Sequence, residues 1–280
     1  MKIIKNILLQ GKHSKPILVD VFFKEDYVQK PIVIFIHGYK GYKDWGAWNL
    51  MAKAFAKAGF FFVKFNFSHN GGTPKQPIDF PDLEAFGNNN FTKELDDLTC
   101  VIDWVLNEKS IEKEINKQQL ALIGHSRGGG IVLIKSEEDR RVTKVITLAG
   151  VSDFKNRFPK GTILEQWKKN NVVFIENGRT KQQMPHFYQF YKDFIAHEKR
   201  FNIKRAVKNL KIPHLLIHGD ADSTVSIKEG ITMQTWSDKN ELIVLKNADH
   251  VFGTHHPWKE KRLSEDLEKV VAFSIVFFNS

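Results

Sequence analysis

A serine between two glycines is the feature of this sequence that most directly predicts chemistry. Ser126 lies in the pentapeptide 124–128, which reads GHSRG and directly follows the apolar run LALI at 120–123. A Gly-x-Ser-x-Gly pattern behind a strand is typical of a nucleophile elbow, a sharp turn into a helix that exposes the serine hydroxyl. Glycines two residues to either side prevent collisions across that turn. The pattern therefore predicts a nucleophile, whereas the alternative is an incidental turn serine at a glycine-rich strand end.

A serine nucleophile needs a base to accept its proton and an acid to fix the tautomer of that base. Asp222 follows a predicted strand at 214–217, and His250 follows a predicted strand at 242–245. Because the carboxyl ends of parallel strands meet at one edge of a sheet, we expect both side chains to lie near Ser126. We therefore predict His250 as the general base and Asp222 as the acid.

The third requirement is a pair of N–H donors for the oxyanion that forms when an acyl group is attacked. One donor is the backbone N–H of Arg127, directly after the predicted nucleophile. The second is the N–H of Tyr39, in the segment HGYKG that follows a predicted strand at 32–36. Gly38 would let the backbone approach closely there.

Neighbouring polar residues have structural interpretations. Asp220 is the alternative acid, although we expect it to shape its turn through nearby N–H groups. Asp249 is expected to fix the loop of the predicted base, and His37 and His218 to be hydrogen-bonded structural histidines. His125 is expected to be a wall of the pocket or a packing residue.

Strand-like and helix-like patterns alternate along the chain, which predicts parallel strands with crossover helices after an antiparallel opening pair. The predicted strands are 3–9, 17–23, 32–36, 60–67, 120–123, 144–148, 214–217 and 242–245. The predicted helices are 47–58, 91–106, 129–135, 163–168, 185–197, 227–236 and 263–277.

Together these motifs resemble those of the α/β-hydrolase superfamily, and among its serine esterases they are similar to cinnamoyl and feruloyl esterases and to prolyl-oligopeptidase-type catalytic domains. The resemblance implies an α/β-hydrolase fold, a mostly parallel eight-stranded sheet with helices on both faces and an inserted helical cap. It places the core at residues 1–150 and 210–280 and the cap at 151–209. It also implies esterase activity on a carboxylic ester, with no metal or cofactor. The matching segments are 37–41 (HGYKG), 124–128 (GHSRG), 218–225 (HGDADSTV) and 249–250 (DH).

Two departures narrow the expected activity. Dienelactone hydrolases share the fold but use a cysteine nucleophile, whereas this chain has a serine at that position. The peptidases usually carry a large N-terminal propeller, whereas about thirty residues precede the third predicted strand here. We therefore expect a carboxylesterase for small or aryl-containing esters. The alternatives are an acyltransferase or short-peptide hydrolase with the same triad, and a catalytically silent binding module with a basic cap.

The formal net charge of +10 is concentrated in one segment. Residues 151–211 hold 14 Lys and Arg against 5 Asp and Glu, while the other 219 residues hold 28 against 27. This distribution argues against a general nucleic-acid surface. We expect a small-molecule ester as the partner, and the basic side chains either form a solvated face or attract an anionic ester. Those side chains are Lys168, Lys169, Arg179, Lys181, Lys192, Arg200, Lys204 and Arg205.

The cap aromatics have two interpretations as well: they line an acyl or aryl pocket, or they form the cap's own core. They are Trp167, Phe174, Phe187, Tyr188, Phe190 and Tyr191.

The single cysteine, Cys100, excludes an internal disulfide and fits a reducing compartment. No signal-peptide pattern and no membrane-spanning run is visible. We expect a cytoplasmic protein without a membrane partner, and the sequence leaves its oligomeric state open.

Overall fold

Ten β-strands form one large sheet and one small hairpin in the computed structural model, which describes residues 1–280. The strands are β1 Lys2–Leu9, β2 Ile17–Phe23, β3 Lys30–Ile36, β4 Phe61–Asn66, β5 Ile115–His125, β6 Val142–Leu148, β7 Val172–Glu176, β8 Gln183–Phe187, β9 His214–Gly219 and β10 Asn240–Leu245. The eight strands of the large sheet correspond to the eight predicted strands.

Helices connect most of these strands. They are α1 Trp48–Lys57, α2 Leu83–Gly87, α3 Phe91–Asn107, α4 Arg127–Glu138, α5 Gly161–Asn170, α6 Gln189–Ala196, α7 Ile203–Asn209, α8 Ile227–Gln234 and α9 Glu265–Asn279. Short 3₁₀ turns occur at Lys109–Glu114 and Lys155–Arg157. No helix has both the length and the apolar composition that crossing a bilayer requires.

The large sheet has the strand order β1-β2-β4-β3-β5-β6-β9-β10. The pairs β1–β2 and β2–β4 are antiparallel, and every other neighbouring pair is parallel. This confirms the predicted mostly parallel, eight-stranded architecture. The order places β3, β5, β6, β9 and β10 with their carboxyl ends along one edge.

Both faces of the sheet are covered. Along β3, Ile32, Ile34 and Ile36 pack into one apolar cluster with residues of α3 and α4. Val33 and Phe35 point to the opposite face and pack with residues of α1 and α9. Because side chains alternate along a strand, a strand that is covered on both sides needs a continuous apolar run. This explains the run at 32–36.

A group of four charged residues, three of them fully buried, holds the loop after β3. Lys43 Nζ lies 2.9 Å from Asp20 Oδ2 and 2.6 Å from Asp44 Oδ2, and Lys64 Nζ lies 2.8 Å from Asp20 Oδ2 and from Asp44 Oδ1. The Lys43 N–H also donates to Asn66 Oδ1 at 2.6 Å. Two positive and two negative charges balance, which a buried group of ions requires. The loop that begins at His37 is thereby fixed to β2 and β4.

The segment between β6 and β9, which the sequence analysis assigns to the cap, contains a hairpin in addition to its helices. Strands β7 and β8 pair antiparallel, from Val172 opposite Phe187 to Glu176 opposite Gln183. The helix predicted at 185–197 therefore begins only at Gln189, and its first predicted residues belong to β8. The β-branched run after α5 favours a strand, and a partner strand a few residues later satisfies its backbone.

Ion pairs join the cap to the core. Arg200 and Arg205 bond to Glu138 and Glu137 of α4, with shortest N···O distances of 2.7 and 2.8 Å. Two further pairs cross the same boundary, Arg179 with Asp79 and Arg157 with Glu229. Four of the 13 Lys and Arg side chains of the cap therefore pair with carboxylates of the core.

One buried carboxyl group predicts a pH dependence of stability. Asp97 on α3 accepts the Ser68 N–H at 2.7 Å through Oδ2, while its buried Oδ1 has no hydrogen-bond partner. Burial raises the pKa of Asp97 from 3.8 to about 7. Its contribution to stability is therefore greatest below pH 3.8 and is lost as the pH rises through about 7.

We expect the free energy of unfolding of the wild type to fall relative to that of Asp97→Asn by about 2–3 kcal/mol between pH 5 and pH 8. Urea unfolding of both proteins at the two pH values measures this difference, and other titrating groups cancel in the comparison. A difference between the two proteins that does not change with pH would contradict the prediction.

Candidate active site

Ser126 lies at a sharp turn between β5 and α4. Its backbone has φ 55° and ψ −119°, a conformation that side-chain-bearing residues rarely adopt, and its N–H donates to Leu148 O at 2.9 Å. A Cβ at Gly124 would lie 2.2 Å from Gly128 O, and a Cβ at Gly128 would lie 2.7 Å from the carbonyl oxygen of His37. Only glycine fits at either position. The predicted strand–turn–helix is present, with the serine at its tip.

Asp222 and His250 meet at the carboxyl ends of β9 and β10. The His250 ring donates through Nδ1 to Asp222 Oδ2 at 2.7 Å. Asp222 Oδ1 accepts the N–H groups of Thr224 and Val225, both at 2.8 Å. Burial opposes ionisation of Asp222, but hydrogen bonds from His218, His250 and the Val225 N–H outweigh it and hold the pKa of Asp222 below its usual range. Asp222 is therefore an ionised, rigidly held acceptor for His250.

Ser126 and His250 line a common cavity of about 130 Å³, together with residues of the loop after β3. The two side chains face the same space without a hydrogen bond between Ser126 Oγ and the His250 ring. Such bonds are often long in unliganded enzymes and tighten when the substrate binds. The structure thus brings together the three residue types that the sequence analysis singled out.

The loop after β3 closely approaches the serine. A Cβ at Gly38 would lie 2.9 Å from the Cβ of Ser126 and 3.1 Å from His125 O, so glycine is required there. Gly41 donates to Gly38 O at 3.0 Å, which closes a tight turn around Tyr39. Arg127 is the first residue of α4, where a backbone N–H has no acceptor within the helix. The two predicted oxyanion donors therefore come from segments that both contact Ser126.

His125 anchors the loop of His250, a role that the sequence analysis did not assign. Its Nε2 lies 2.9 Å from the backbone oxygen of His250, and because a carbonyl only accepts, Nε2 must carry the proton. Burial, together with the nearby His250 ring, lowers the pKa of His125 to about 3. The ring is therefore neutral near pH 7 and positions His250 without adding charge.

The remaining polar neighbours are structural, as expected. Asp220 accepts the Asn247 N–H at 2.5 Å, which ties the loop after β9 to the loop after β10. Asp249 accepts two N–H groups of its own turn, from Val251 and Gly253. His37 bonds to Gly38 O and His218 to Val225 O, both through ring nitrogens. Asp220 makes no contact with His250, so Asp222 is the only one of these two aspartates that pairs with it.

A larger cavity of about 570 Å³ extends from Ser126 between core and cap, and its lining is mostly apolar. Trp167 and Phe190 contribute cap rings to its wall, whereas Phe174 is 56% exposed on the hairpin and does not line it. The Tyr39 ring lines the cavity, and its hydroxyl bonds to His186 Nε2 at 2.6 Å. Part of the predicted aromatic set therefore lines the cavity, and none of the eight predicted basic side chains does.

The side chain of Arg127 turns inward, which the sequence analysis did not predict. It lines the larger cavity with 18% of its side chain exposed. The sequence signal that points to it is its position directly after the elbow serine. No group of three or more His, Cys, Asp or Glu side chains is arranged to hold a metal ion.

Comparisons with known proteins identify the fold. A family model described as the alpha/beta hydrolase fold matches residues 31–174. The chain is similar in structure to the ferulic acid complex of Est1E from Butyrivibrio proteoclasticus, with 14% identity, a TM-score of 0.73 and 98% of each chain covered. It is also similar to the esterase domain of a Rhodothermus marinus protein (18% identity, TM-score 0.64, 99% of this chain and 98% of that one).

The chain is similar in structure to a dienelactone hydrolase from Anabaena variabilis as well, with 15% identity, a TM-score of 0.63, and 100% of this chain and 98% of that chain covered. No curated protein matches significantly. At these identities, the structural likenesses establish the fold alone.

Proposed function

Because this chain belongs to the α/β-hydrolase family, we propose that it is a serine hydrolase, and specifically a carboxylesterase that cleaves small or aryl-containing esters. The observation that carries the proposal is the 2.7 Å bond from His250 to a buried Asp222, beside an elbow serine that lines the same cavity as His250. A serine, a carboxylate and a histidine in this chain order fit the triad of the family.

In the first half of the reaction, Ser126 Oγ attacks the carbonyl carbon of the ester, and its proton passes to His250 Nε2. Asp222 accepts the Nδ1–H bond and stabilises the imidazolium that forms. The Tyr39 and Arg127 N–H groups bind the oxyanion. The carbonyl then re-forms as the bond to the leaving oxygen breaks. That oxygen takes the proton from His250, and an alcohol departs.

In the second half, a water molecule replaces the alcohol. His250 removes a proton from this water, whose oxygen attacks the acyl carbon bound to Ser126. The tetrahedral species collapses, the bond to Ser126 Oγ breaks, and His250 returns the proton to that oxygen. The products are a carboxylic acid and the free enzyme, and no cofactor takes part in the scheme.

The larger cavity supports an ester with an apolar acyl or aryl part. It reaches Ser126 and is lined mainly by aliphatic and aromatic side chains from core and cap. Burial of apolar substrate surface there is worth about 25 cal/mol per Å² before the costs of association.

A fluorophosphonate probe tests the proposal directly, because it reacts only with an activated serine. We expect one covalent adduct, which mass spectrometry of the digest locates on the peptide containing Ser126. Ethyl and 4-nitrophenyl esters of graded acyl length should slow the labelling and release acid. Absence of an adduct would support a silent binding module instead, and preferential acyl transfer to added alcohol or amine over water would identify an acyltransferase.

A further inference from the structure

The charged side chains that line the larger cavity are all cations. Its wall includes Arg127 and Arg157, and it contains no aspartate or glutamate. The other lining groups are mainly apolar, and the polar ones, such as Ser126, Tyr39 and His186, are neutral at pH 7. An uncharged ester does not require a cation in such a wall.

Arg127 is the more enclosed of the two cations. Its guanidinium carbon lies 4.5 Å from the centre of the Tyr39 ring, 5.2 Å from that of Phe190 and 5.5 Å from that of Phe91. One N–H donates to Glu94 Oε1, at a long distance of 3.3 Å. A guanidinium has five N–H donors, so most of its hydrogen-bonding capacity has no acceptor within the chain.

Glu94 compensates this cation only in part. Its Oε1 is shared with Asn89 Nδ2 at 2.7 Å, and its buried Oε2 has no partner. Burial raises the pKa of Glu94, although Arg127 acts in the opposite direction. The raised pKa favours the neutral acid. An enclosed cation with unused donors is unfavourable unless another acceptor supplies the missing bonds.

Arg157 differs in its surroundings. It lies on the cap with 39% of its side chain exposed and pairs with Glu229, whose other oxygen accepts the Ser152 N–H at 2.8 Å. Its charge is therefore balanced and partly solvated. A ligand anion gains more from Arg127, where water competes less and donors are free.

We propose that the cavity binds esters that carry a second, ionised carboxylate, and that the Arg127 guanidinium is the residue that selects it. A planar carboxylate matches the paired N–H groups of a guanidinium, and the rings around Arg127 exclude water from that contact. The backbone of Arg127 adjoins Ser126, so its side chain is well placed to hold the acyl part of a half-ester. This inference rests on the proposed function of Ser126.

The test compares two esters of equal chain length, monoethyl adipate, which ends in a carboxylate, and ethyl hexanoate, which ends in a methyl group. We expect the wild type to prefer the anionic ester in kcat/KM by at least about tenfold, the effect of one charge-assisted contact of about 1.4 kcal/mol. Arg127→Gln should abolish that preference mainly by raising KM for monoethyl adipate. The ratio between the two esters cancels any effect on the oxyanion site, which both substrates share.

Two variants keep the test decisive. Lys168→Gln removes a cap cation that does not line the cavity, and we expect it to retain the preference. Arg127→Gln combined with Glu94→Gln avoids leaving a buried carboxyl group without its partner and serves if the single variant is unstable. Equal rates for both esters in the wild type would overturn the inference, and so would loss of the preference in Arg157→Gln but not in Arg127→Gln.

Calorimetry separates this inference from the proposed function. Monoethyl adipate should bind the Ser126→Ala protein more tightly than ethyl hexanoate does, and Arg127→Gln in that background should remove the difference. If Ser126→Ala still hydrolyses esters, the proposed function fails while the binding data still decide the role of Arg127. If Ser126→Ala is inactive but binds both esters equally, only the anion inference fails.

Discussion

Replacing Ser126 with alanine is expected to lower kcat for ester hydrolysis by about 10⁴- to 10⁶-fold, the range found when a triad serine is removed. The covalent intermediate cannot form without Oγ, so only binding and the oxyanion donors remain to accelerate direct attack by water. The strained backbone at this position, φ 55°, is set by the contacts of its neighbours and does not depend on the hydroxyl. Steady-state kinetics with 4-nitrophenyl acetate measure the loss.

A matched control is available on α4, the helix that follows Ser126. Ser136 lies near the end of α4, is buried, and its Oγ has no hydrogen-bond partner. Ser136→Ala is expected to keep the rate within about twofold, since neither packing nor a hydrogen bond is lost. Wild-type activity in Ser126→Ala would eliminate Ser126 as the nucleophile, whatever the fluorophosphonate result.

Replacing Asp222 with asparagine should lower kcat by about 10²- to 10⁴-fold with little change in KM. The carboxylate accepts from His250 Nδ1 at 2.7 Å and from two backbone N–H groups, so it fixes both the tautomer and the orientation of the ring. An amide in its place can present an N–H to Nδ1. That contact would favour the tautomer with its proton on Nε2, which cannot accept the serine proton.

The neighbouring aspartate provides the comparison. Asp220 accepts the Asn247 N–H through Oδ1, and an asparagine there retains an oxygen for that bond. We therefore expect Asp220→Asn to stay within a few-fold of the wild-type rate. The reverse order, a large loss at position 220 and a small one at 222, would reassign the acid and contradict the geometry that supports Asp222.

The parts of this fold that the sequence predicts are those with strong local signals. The run at 32–36 is continuously apolar because the strand is covered on both faces, and it is β3 in the structure. Gly124 is required by a contact within its own turn, and Gly128 by contacts with the end of the neighbouring strand β3. Parallel strands then bring the loops that hold Asp222 and His250 to the edge where Ser126 lies.

Other features depend on contacts between distant residues, which local patterns do not contain. Lys64 lies in an apolar strand, and its partner Asp20 is 44 residues away. A lone lysine inside such a run does indicate a buried charge that needs a partner, but it does not identify which one. The hairpin of the cap is not evident in the sequence for a related reason, because β8 acquires its strand conformation by pairing with β7.

The direction of the Arg127 side chain also depends on contacts between distant residues. Its position next to Ser126 is evident in the sequence, but its inward direction is set by the rings of Phe91, Phe190 and Tyr39, from three separate segments. A charged residue after a nucleophile is most simply interpreted as a surface group. Enclosure by aromatic side chains changes that interpretation.

The ion pairs between cap and core have a consequence for the evolution of the chain. Four cap arginines, at 157, 179, 200 and 205, each pair with a carboxylate that belongs to the core. Exposed pairs contribute little singly, so the attachment depends on the whole set. The insertion is therefore not an exchangeable module. Grafted onto a sheet without those acids, it would lack its anchoring partners and carry an uncompensated net charge of +8, from 13 Lys and Arg against 5 Asp and Glu at 151–209. The cap and the core acids are therefore expected to change together.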